Sequence, residues 1–240
     1  MIRLVALCLS AAAIISFPGV SGRNTAIRDQ DAPTRDNALS DDERRQGFEL
    51  LFDGKSLANW HTIPLGDRPG AWRARDGVLS YEPGDSWLAS DATYGDFHLR
   101  LEYRTGPDSD SGIFLRATPE GYPSFTGMEI EITGDPAGLP SPRSNTALYG
   151  AAAPLKNGIS APGAWNRVEI AVVDRTLVAI WNGVTIHNLN LDDPAYAAAV
   201  RGPLSARARA GHIGFQAHLT GAPVEFRNIR IKAKAAGDQR

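Results

Sequence analysis

The sequence NRVEIAVVDRTLVAIWNGVTIHNLN, residues 166–190, alternates apolar and polar residues with a period of two. This period is typical of β-strands that bury one face. Asn182-Gly183 interrupts the alternation, and this dipeptide favours the positive φ angles of a tight hairpin turn. The stretch therefore predicts neighbouring antiparallel strands that pack on a core by one face.

The same alternation continues on both sides of this stretch, from Phe48 to Lys232, with Asp53-Gly54 and Asp76-Gly77 at further turn positions. Helical periodicity is confined to a short stretch near residues 193–200. We therefore predict an antiparallel all-β fold of about ten to twelve strands, either closed as a barrel or packed as two sheets.

The chain begins with a pattern typical of a secretory signal peptide in residues 1–22, which read MIRLVALCLSAAAIISFPGVSG. The apolar run is shorter than the about 20 residues of a membrane-spanning helix. We expect an exported protein, periplasmic or secreted, with no membrane insertion after signal removal. Cys8 is the only cysteine and lies in this segment, so the mature chain would contain no disulfide.

The remaining organisation follows from composition. Residues 23–46 are predicted to form a flexible leader and a short helix, because Ser40 and Glu43 make a capping box and Gly47 can end the helix. Residues 47–234 would form the domain and residues 235–240 a tail. The formal net charge of −2, with both signs interspersed, offers no basic surface for nucleic acid. A neutral partner such as a carbohydrate is compatible with it.

Ten segments, in order from Gly47 to Lys232, resemble the 3-keto-disaccharide hydrolase family; they are GFELLFDGKSLANW, WRARDGVLS, YGDFHLRLEYR, DSGIFLRA, GMEIEI, ALYGAAAP, GAWNRVEI, IWNG, GHIGFQAH and VEFRNIRIK. The resemblance implies a concanavalin-like jelly-roll β-sandwich of two antiparallel sheets with a ligand groove on the concave one. It also implies a carbohydrate substrate and a partner 3-dehydrogenase that supplies the keto sugar.

Alternation in GMEIEIT places Glu129 and Glu131 on the same side of a strand, away from the core. The pair could be two ordinary acids on a solvated face. Related sequences usually have Glu-x-Gln here, so Glu131 is a departure. Two neighbouring carboxylates repel, which raises one pKa and suits general acid or base work. No cofactor is certain, but the pair would also suit a divalent cation.

The same alternation places polar residues of other predicted strands on the side away from the core. Gln216 shares the outward parity of GHIGFQAH with His218, which stands where the family's Gln-Asp-His-Gly pattern has its histidine. Arg116 has the outward parity of DSGIFLRA, where it could stabilise negative charge or merely pair with the glutamates. Asp110 replaces the family's usual Asn and is a second candidate cation ligand.

Aromatic side chains that could stack on sugar rings complete the predicted site. Trp87, in the turn-flanked GDSWLAS, is expected at the groove rim, and Tyr149 is a further substrate-binding candidate. Trp165 and Trp181 lie in strand patterns and are expected to pack in the core.

The resemblance implies cleavage of the glycosidic bonds of 3-keto-disaccharides or 3-keto-glycosides by proton abstraction at C2, elimination and hydration. Glu129 or Glu131 would be the base, His218 the acid or second base, and Arg116 or a cation the enolate stabiliser. Two alternatives stay open: a non-catalytic carbohydrate-binding module, and a direct retaining glycan hydrolase that uses Glu129 and Glu131.

Overall fold

In the computed structural model, residues 36–135 and 139–233 are described, and their strands form two antiparallel sheets. The predicted signal peptide, nearly all of the leader and the C-terminal tail lie outside the described residues and stay predictions. Strands are numbered in chain order below.

The larger sheet has eight strands in the order β11-β10-β9-β6-β13-β4-β3, and β1 pairs with β13 beside this path. These strands are β1 (Glu49–Leu50), β3 (Trp72–Arg75), β4 (Val78–Tyr81), β6 (Phe97–Arg104), β9 (Asn166–Val173), β10 (Thr176–Trp181), β11 (Val184–Asn190) and β13 (Glu225–Ala233).

The smaller sheet has five strands in the order β2-β5-β12-β7-β8. Its strands are β2 (Trp60–Pro64), β5 (Ser86–Tyr94), β7 (Asp110–Ala117), β8 (Met128–Thr133) and β12 (Gly211–Ala217). Most neighbours along both sheets are distant in sequence, as the crossovers of a jelly roll require. The predicted jelly-roll sandwich is thereby confirmed, and the barrel is excluded.

Local sequence signals explain where the elements begin and end. Helix α1 (Asp41–Gln46) starts with the predicted capping box, in which the Ser40 hydroxyl accepts from the Glu43 N–H and the Glu43 carboxylate accepts from the Ser40 N–H. Gly47 ends the helix at φ 84°. The hairpin between β10 and β11 turns at Asn182-Gly183, with φ of 49° and 81°.

The predicted helical stretch near residues 193–200 is only one 3-10 turn, Pro194–Tyr196. The structure adds a second 3-10 turn, Leu204–Ala206, and the short helix α2 (Pro123–Thr126), which directly precedes β8. None of the helices in the described part of the chain has the length and apolar character needed to cross a bilayer.

The core lies between the sheets and is built from one face of each strand. On the smaller sheet it takes Leu88, Ile113, Ile130 and Phe215, each almost fully buried. The residues between them point away from the core, onto a surface that we call the outer face. The candidate site is on this outer face.

Candidate active site

Glu129 and Glu131 project from β8 onto the outer face, because Met128, Ile130 and Ile132 take the core positions between and beside them. The alternation of the sequence therefore gave their direction correctly. Both glutamates are nevertheless buried, with relative exposures of 3% and 8%. An ordinary solvated strand face does not describe them.

Gly112 makes room for one of the two carboxylates. It lies on β7, in register with Glu131, while Phe114 is in register with Glu129. A β-carbon on Gly112 would overlap Oε1 of Glu129. The Glu129 carboxylate therefore leans over the adjacent strand, into the space that the missing side chain leaves.

Burial raises the pKa of both glutamates above the usual range. The Ser124 hydroxyl opposes this effect at Glu129. At Glu131 the nearby charges of Glu129 and Asp110 raise the pKa further, and only Arg143 acts in the opposite direction. Because the two carboxylates interact, ionisation of one raises the pKa of the other, so that one of the pair keeps its proton to higher pH.

Asp110 and His218 meet beside the glutamates. Asp110 begins β7, His218 follows β12, and Oδ2 of Asp110 is 3.6 Å from Nδ1 of His218. The Thr220 hydroxyl is 3.2 Å from the same ring nitrogen. Burial raises the pKa of Asp110, against the effect of His218. This pair is more open to solvent than the glutamates, with side-chain exposures of 40% and 36%.

Three aromatic side chains, Tyr122, Phe125 and Tyr149, form what we call the aromatic wall. The Tyr122 and Phe125 ring centroids are 5.7 Å apart, and those of Phe125 and Tyr149 are 6.4 Å apart. The Tyr149 N–H donates to the Glu129 carbonyl at 2.9 Å, which holds this wall against β8. Gln216, on the outer face of β12, interacts with the Tyr122 hydroxyl.

Arg143 contributes a positive charge to the same place. Its Nη1 donates to the Tyr149 hydroxyl at 2.8 Å. The loop that carries both residues is bonded to β8, because the Glu131 N–H donates to the Ala147 carbonyl at 3.0 Å and the Thr146 N–H to the Glu131 carbonyl at 2.8 Å. Arg143 and Tyr149 are thus held in fixed positions beside the glutamates.

Arg116 is not part of this site, and its predicted direction is wrong. The register between β12 and β7 shifts between His212 and Gly214, and Arg116 has a φ of 54°. This β-bulge breaks the alternation of the strand. The guanidinium is buried and donates to the Gly95 and Asp174 carbonyls at 2.8 and 2.9 Å. It joins two turns and contacts neither glutamate.

Trp87 is not at a groove rim, so that prediction is also wrong. It lies within β5 and is fully buried in a small cluster on the outer face with Ala89, Phe114 and Ala117. Its ring lies over Gly214 and meets Phe114 edge-on at 5.6 Å. The flanking turn residues suggested a loop, whereas the nine-residue strand β5 includes the whole segment from Ser86. Trp181 is in the core as predicted, whereas Trp165 is only partly buried and stacks against Arg104 and Arg227, so its predicted core position is wrong.

Sequence reasoning missed several residues that the structure brings to the site: Gly112, Tyr122, Ser124, Phe125 and Arg143. One signal was present, because EGYPSFT directly precedes GMEIEIT and concentrates aromatic residues beside the glutamates. Arg143 gave no comparable signal, since it reaches the site only through the folding of a long loop.

A divalent cation was the one cofactor suggested by the sequence. In residues 36–135 and 139–233, no group of three or more His, Cys, Asp or Glu side chains is arranged to hold a metal ion. No step of the chemistry below is therefore routed through a metal.

Comparison with known proteins identifies relatives. Residues 47–232 match the family described as the 3-keto-alpha-glucoside-1,2-lyase-like domain. The 3-keto-disaccharide hydrolase of Bacteroides thetaiotaomicron is 22% identical, over 95% of this chain and 97% of its own.

Two crystal structures of proposed glycosyl hydrolases from Parabacteroides distasonis share the fold. One has a TM-score of 0.73 and 24% identity, covering 83% of this chain and 100% of its own. The other has a TM-score of 0.68 and 23% identity, covering 78% of this chain and 99% of its own. These two structures show the fold, and the family match supports a hydrolase that acts on carbohydrate. The family match spans most of the chain, which therefore belongs to the 3-keto-alpha-glucoside-1,2-lyase-like family.

Proposed function

We propose that the protein hydrolyses glycosides whose sugar carries a ketone at C3, by elimination followed by hydration. The ketone acidifies the hydrogen on C2, so that a carboxylate can remove it. The observation that supports this chemistry most directly is the buried Glu129–Glu131 pair, in which one group can ionise while the other stays protonated. A general base with a raised pKa is well matched to proton abstraction near neutral pH.

Glu129 is the base. Its carboxylate leans over Gly112 on the outer face, and it stands at the position where related sequences usually keep a carboxylate. Glu131 acts as a neutral group that accepts or donates hydrogen bonds. In this neutral state it resembles the glutamine that related sequences usually have at this position. The chemical difference between Glu131 and that glutamine is therefore small.

The enolate formed at C2 and C3 expels the glycosidic oxygen from C1, and His218 gives this oxygen its proton. His218 acts as an imidazolium and Nε2 is the donating atom, since Nδ1 faces the Asp110 carboxylate and the Thr220 hydroxyl, which can accept its proton. Water then adds its oxygen to C1 of the enone, Glu129 returns its proton to C2, and the second proton of the water goes to His218. The products are an alcohol and the 3-keto sugar, and both side chains are restored.

Arg143 and Tyr149 replace Arg116 as stabilisers of the enolate. The Tyr149 hydroxyl accepts from Arg143, so its own proton is polarised toward an anion in the site. Removing one preorganised donor from an oxyanion typically costs about 10² to 10³ in rate. The aromatic wall offers apolar ring faces to the C–H side of a sugar.

The cellular setting follows from the same proposal. Export to the periplasm or beyond would place the enzyme where oxidised glycans are met, and a 3-dehydrogenase would have to supply the ketone. Both stay predictions from the sequence.

A substrate panel tests the proposal. Purified protein is offered matched glycosides with and without the 3-keto group, and products are followed by chromatography. We expect turnover of the 3-keto compounds alone, with deuterium at C2 of the product in D₂O, because that C–H bond breaks and the proton held by Glu129 exchanges with solvent before one is returned to C2. Equal turnover of the unoxidised glycosides would favour the retaining hydrolase, and binding without turnover of either would favour a carbohydrate-binding module.

The Arg143→Gln variant tests the stabiliser, with Arg75→Gln on an exposed turn as the matched control. We expect kcat on a 3-keto glycoside to fall by about 10- to 100-fold in the first variant, because a charged donor beside the developing enolate is lost. The control should retain wild-type kcat. An Arg143→Gln protein as fast as wild type would remove the Arg143–Tyr149 pair from the mechanism.

A further inference from the structure

A cleft of about 470 Å³ opens at the ends of β7 and β8 where Asp110 pairs with Thr133. Residues 107–110 and 133–135 form two of its walls, and Pro162 and Thr220 complete the lining. Its volume is within the range of about 300 to 1,000 Å³ typical of small-ligand sites. Nothing in the proposed chemistry so far uses this space.

One wall of the cleft is held rigid by hydrogen bonds. The buried Ser109 hydroxyl accepts from the Gly106 N–H at 2.9 Å and donates to the Ala222 carbonyl at 2.8 Å. The Gly134 N–H donates to the Ser109 carbonyl at 2.8 Å, which joins this wall to the other. The cleft is therefore preformed, and a ligand would bind without ordering it first.

The cleft shares two lining residues, Asp110 and Thr220, with the surroundings of His218. Thr133 has the same outward parity on β8 as Glu129 and Glu131, and Asp110 is its register partner on β7. Asp110 and Thr220 both line the cleft and both contact His218. The proton donor to the glycosidic oxygen thus stands at the boundary between the glutamates and the cleft.

The cleft is acidic even with Asp110 paired to His218, because Asp108 is exposed on its wall. Among the described residues that line it, Asp108, Asp110 and Asp135 are acidic and none is Lys or Arg. An anionic ligand would be repelled at close range, whereas a neutral sugar hydroxyl finds several acceptor oxygens.

We propose that this cleft binds the leaving group of the substrate, and that it accepts neutral sugar units and rejects acidic ones such as uronic acids. The proposal rests on the proposed function, since it assumes that the oxidised ring lies over the glutamates. With that ring between Glu129 and the aromatic wall, the bond to be cleaved points past His218 toward Asp110 and Thr220.

Calorimetric titration tests the cleft without relying on turnover. Two unoxidised disaccharides share a glucose at the non-reducing end and carry either glucose or glucuronic acid as the second unit. We expect the uronic acid compound to bind about 5- to 10-fold more weakly at low salt, and the difference to shrink as salt screens the charges. In Asp108→Asn, this ratio should fall to about 2- to 3-fold. Asp76→Asn, on a distant exposed turn, is the matched control and should leave the ratio unchanged.

The outcomes separate the two proposals. Equal affinity for both disaccharides, no binding of either, or a ratio that Asp108→Asn does not change would each overturn the assignment of the cleft. Failure of the 3-keto panel would overturn the proposed function instead, because the titration uses compounds without a ketone. Success in both predicts that kcat/KM for 3-keto disaccharides follows the same preference for a neutral leaving group.

Discussion

Two glycines on neighbouring strands of the smaller sheet lie beneath side chains of opposite character, one apolar and one charged. Gly214 on β12 lies beneath the ring of Trp87, in a cluster that is closed to solvent. Gly112 on β7 lies beneath the carboxylate of Glu129, in the candidate active site. In both places a missing side chain lets a larger neighbour lie flat on the sheet.

The difference lies in what the neighbour carries. An indole over Gly214 buries apolar surface and contributes to stability, whereas a carboxylate over Gly112 is desolvated, which costs stability and raises its pKa. The first arrangement extends the core to the outer face. The second holds a reactive carboxylate. Backbone pairing between β7 and β8 beneath it keeps the strands in place.

The largest expected effect is that of Glu129→Gln on activity. Loss of a general base typically lowers the rate by about 10² to 10⁴, and the isosteric change should leave the fold intact. Turnover of a 3-keto glycoside is measured with folding checked by circular dichroism. A variant as active as wild type would dismiss Glu129 as the base and leave His218 as the leading candidate.

Gly112→Ala should convert the reactive surface into an inactive one. The new methyl group takes the place of the Glu129 carboxylate, which can swing away because it ends a flexible side chain. We expect kcat/KM to fall by about 10- to 100-fold, since a displacement of about 1 Å is costly in catalysis. The unfolding free energy should change by less than about 1 kcal/mol, and a larger loss with unchanged kcat/KM would contradict the prediction.

Gly214→Ala is the matched change under Trp87. It should lower the unfolding free energy and leave kcat/KM nearly unchanged. Its β-carbon would lie 2.5 Å from Cε3 of Trp87 and 2.7 Å from the Leu88 carbonyl oxygen, and neither a buried ring nor backbone moves easily. Overpacking of this kind costs about 1 to 3 kcal/mol. Urea unfolding measures the loss. If instead activity fell more than in Gly112→Ala, the Trp87 cluster would be part of the site.

Glu131→Gln is expected to have the smallest effect on activity and a pH-dependent effect on stability. The folded-state pKa of Glu131 is raised above its unfolded value, so stability is greatest below the unfolded pKa and is lost progressively as pH rises from that value to the raised pKa, because the unfolded chain ionises first. Glutamine does not titrate and avoids the loss.

Urea unfolding of both proteins at pH 4 and pH 8 tests this sign. The variant should gain about 1 to 2 kcal/mol over wild type on going from pH 4 to pH 8, since each unit of pKa shift corresponds to about 1.4 kcal/mol. Its turnover should stay within about threefold of wild type. If the advantage of the variant in unfolding free energy became smaller as pH rose, Glu131 would be ionised and paired in the folded state.

Much of the fold and part of the site could be predicted from the sequence. The alternation in GMEIEIT gave the direction of Glu129 and Glu131, and Asn182-Gly183 gave the hairpin, because both depend on local backbone geometry. The direction of Arg116 could not be obtained this way. Its β-bulge depends on the pairing of β7 with β12, strands separated by about a hundred residues in sequence.

The sequence by itself determined the strands, their buried faces, the tight turns and the capped helix, since these follow from periods and residue preferences within a few neighbours. Only the tertiary structure decided that Trp87 is sealed in an apolar cluster while Glu129 is buried over Gly112 in the candidate site, and that Arg143, rather than Arg116, lies beside the glutamates. Burial and pairing across strands depend on which distant segments come together. The raised pKa values of the two glutamates follow from that burial, so no pattern along the chain could have given them.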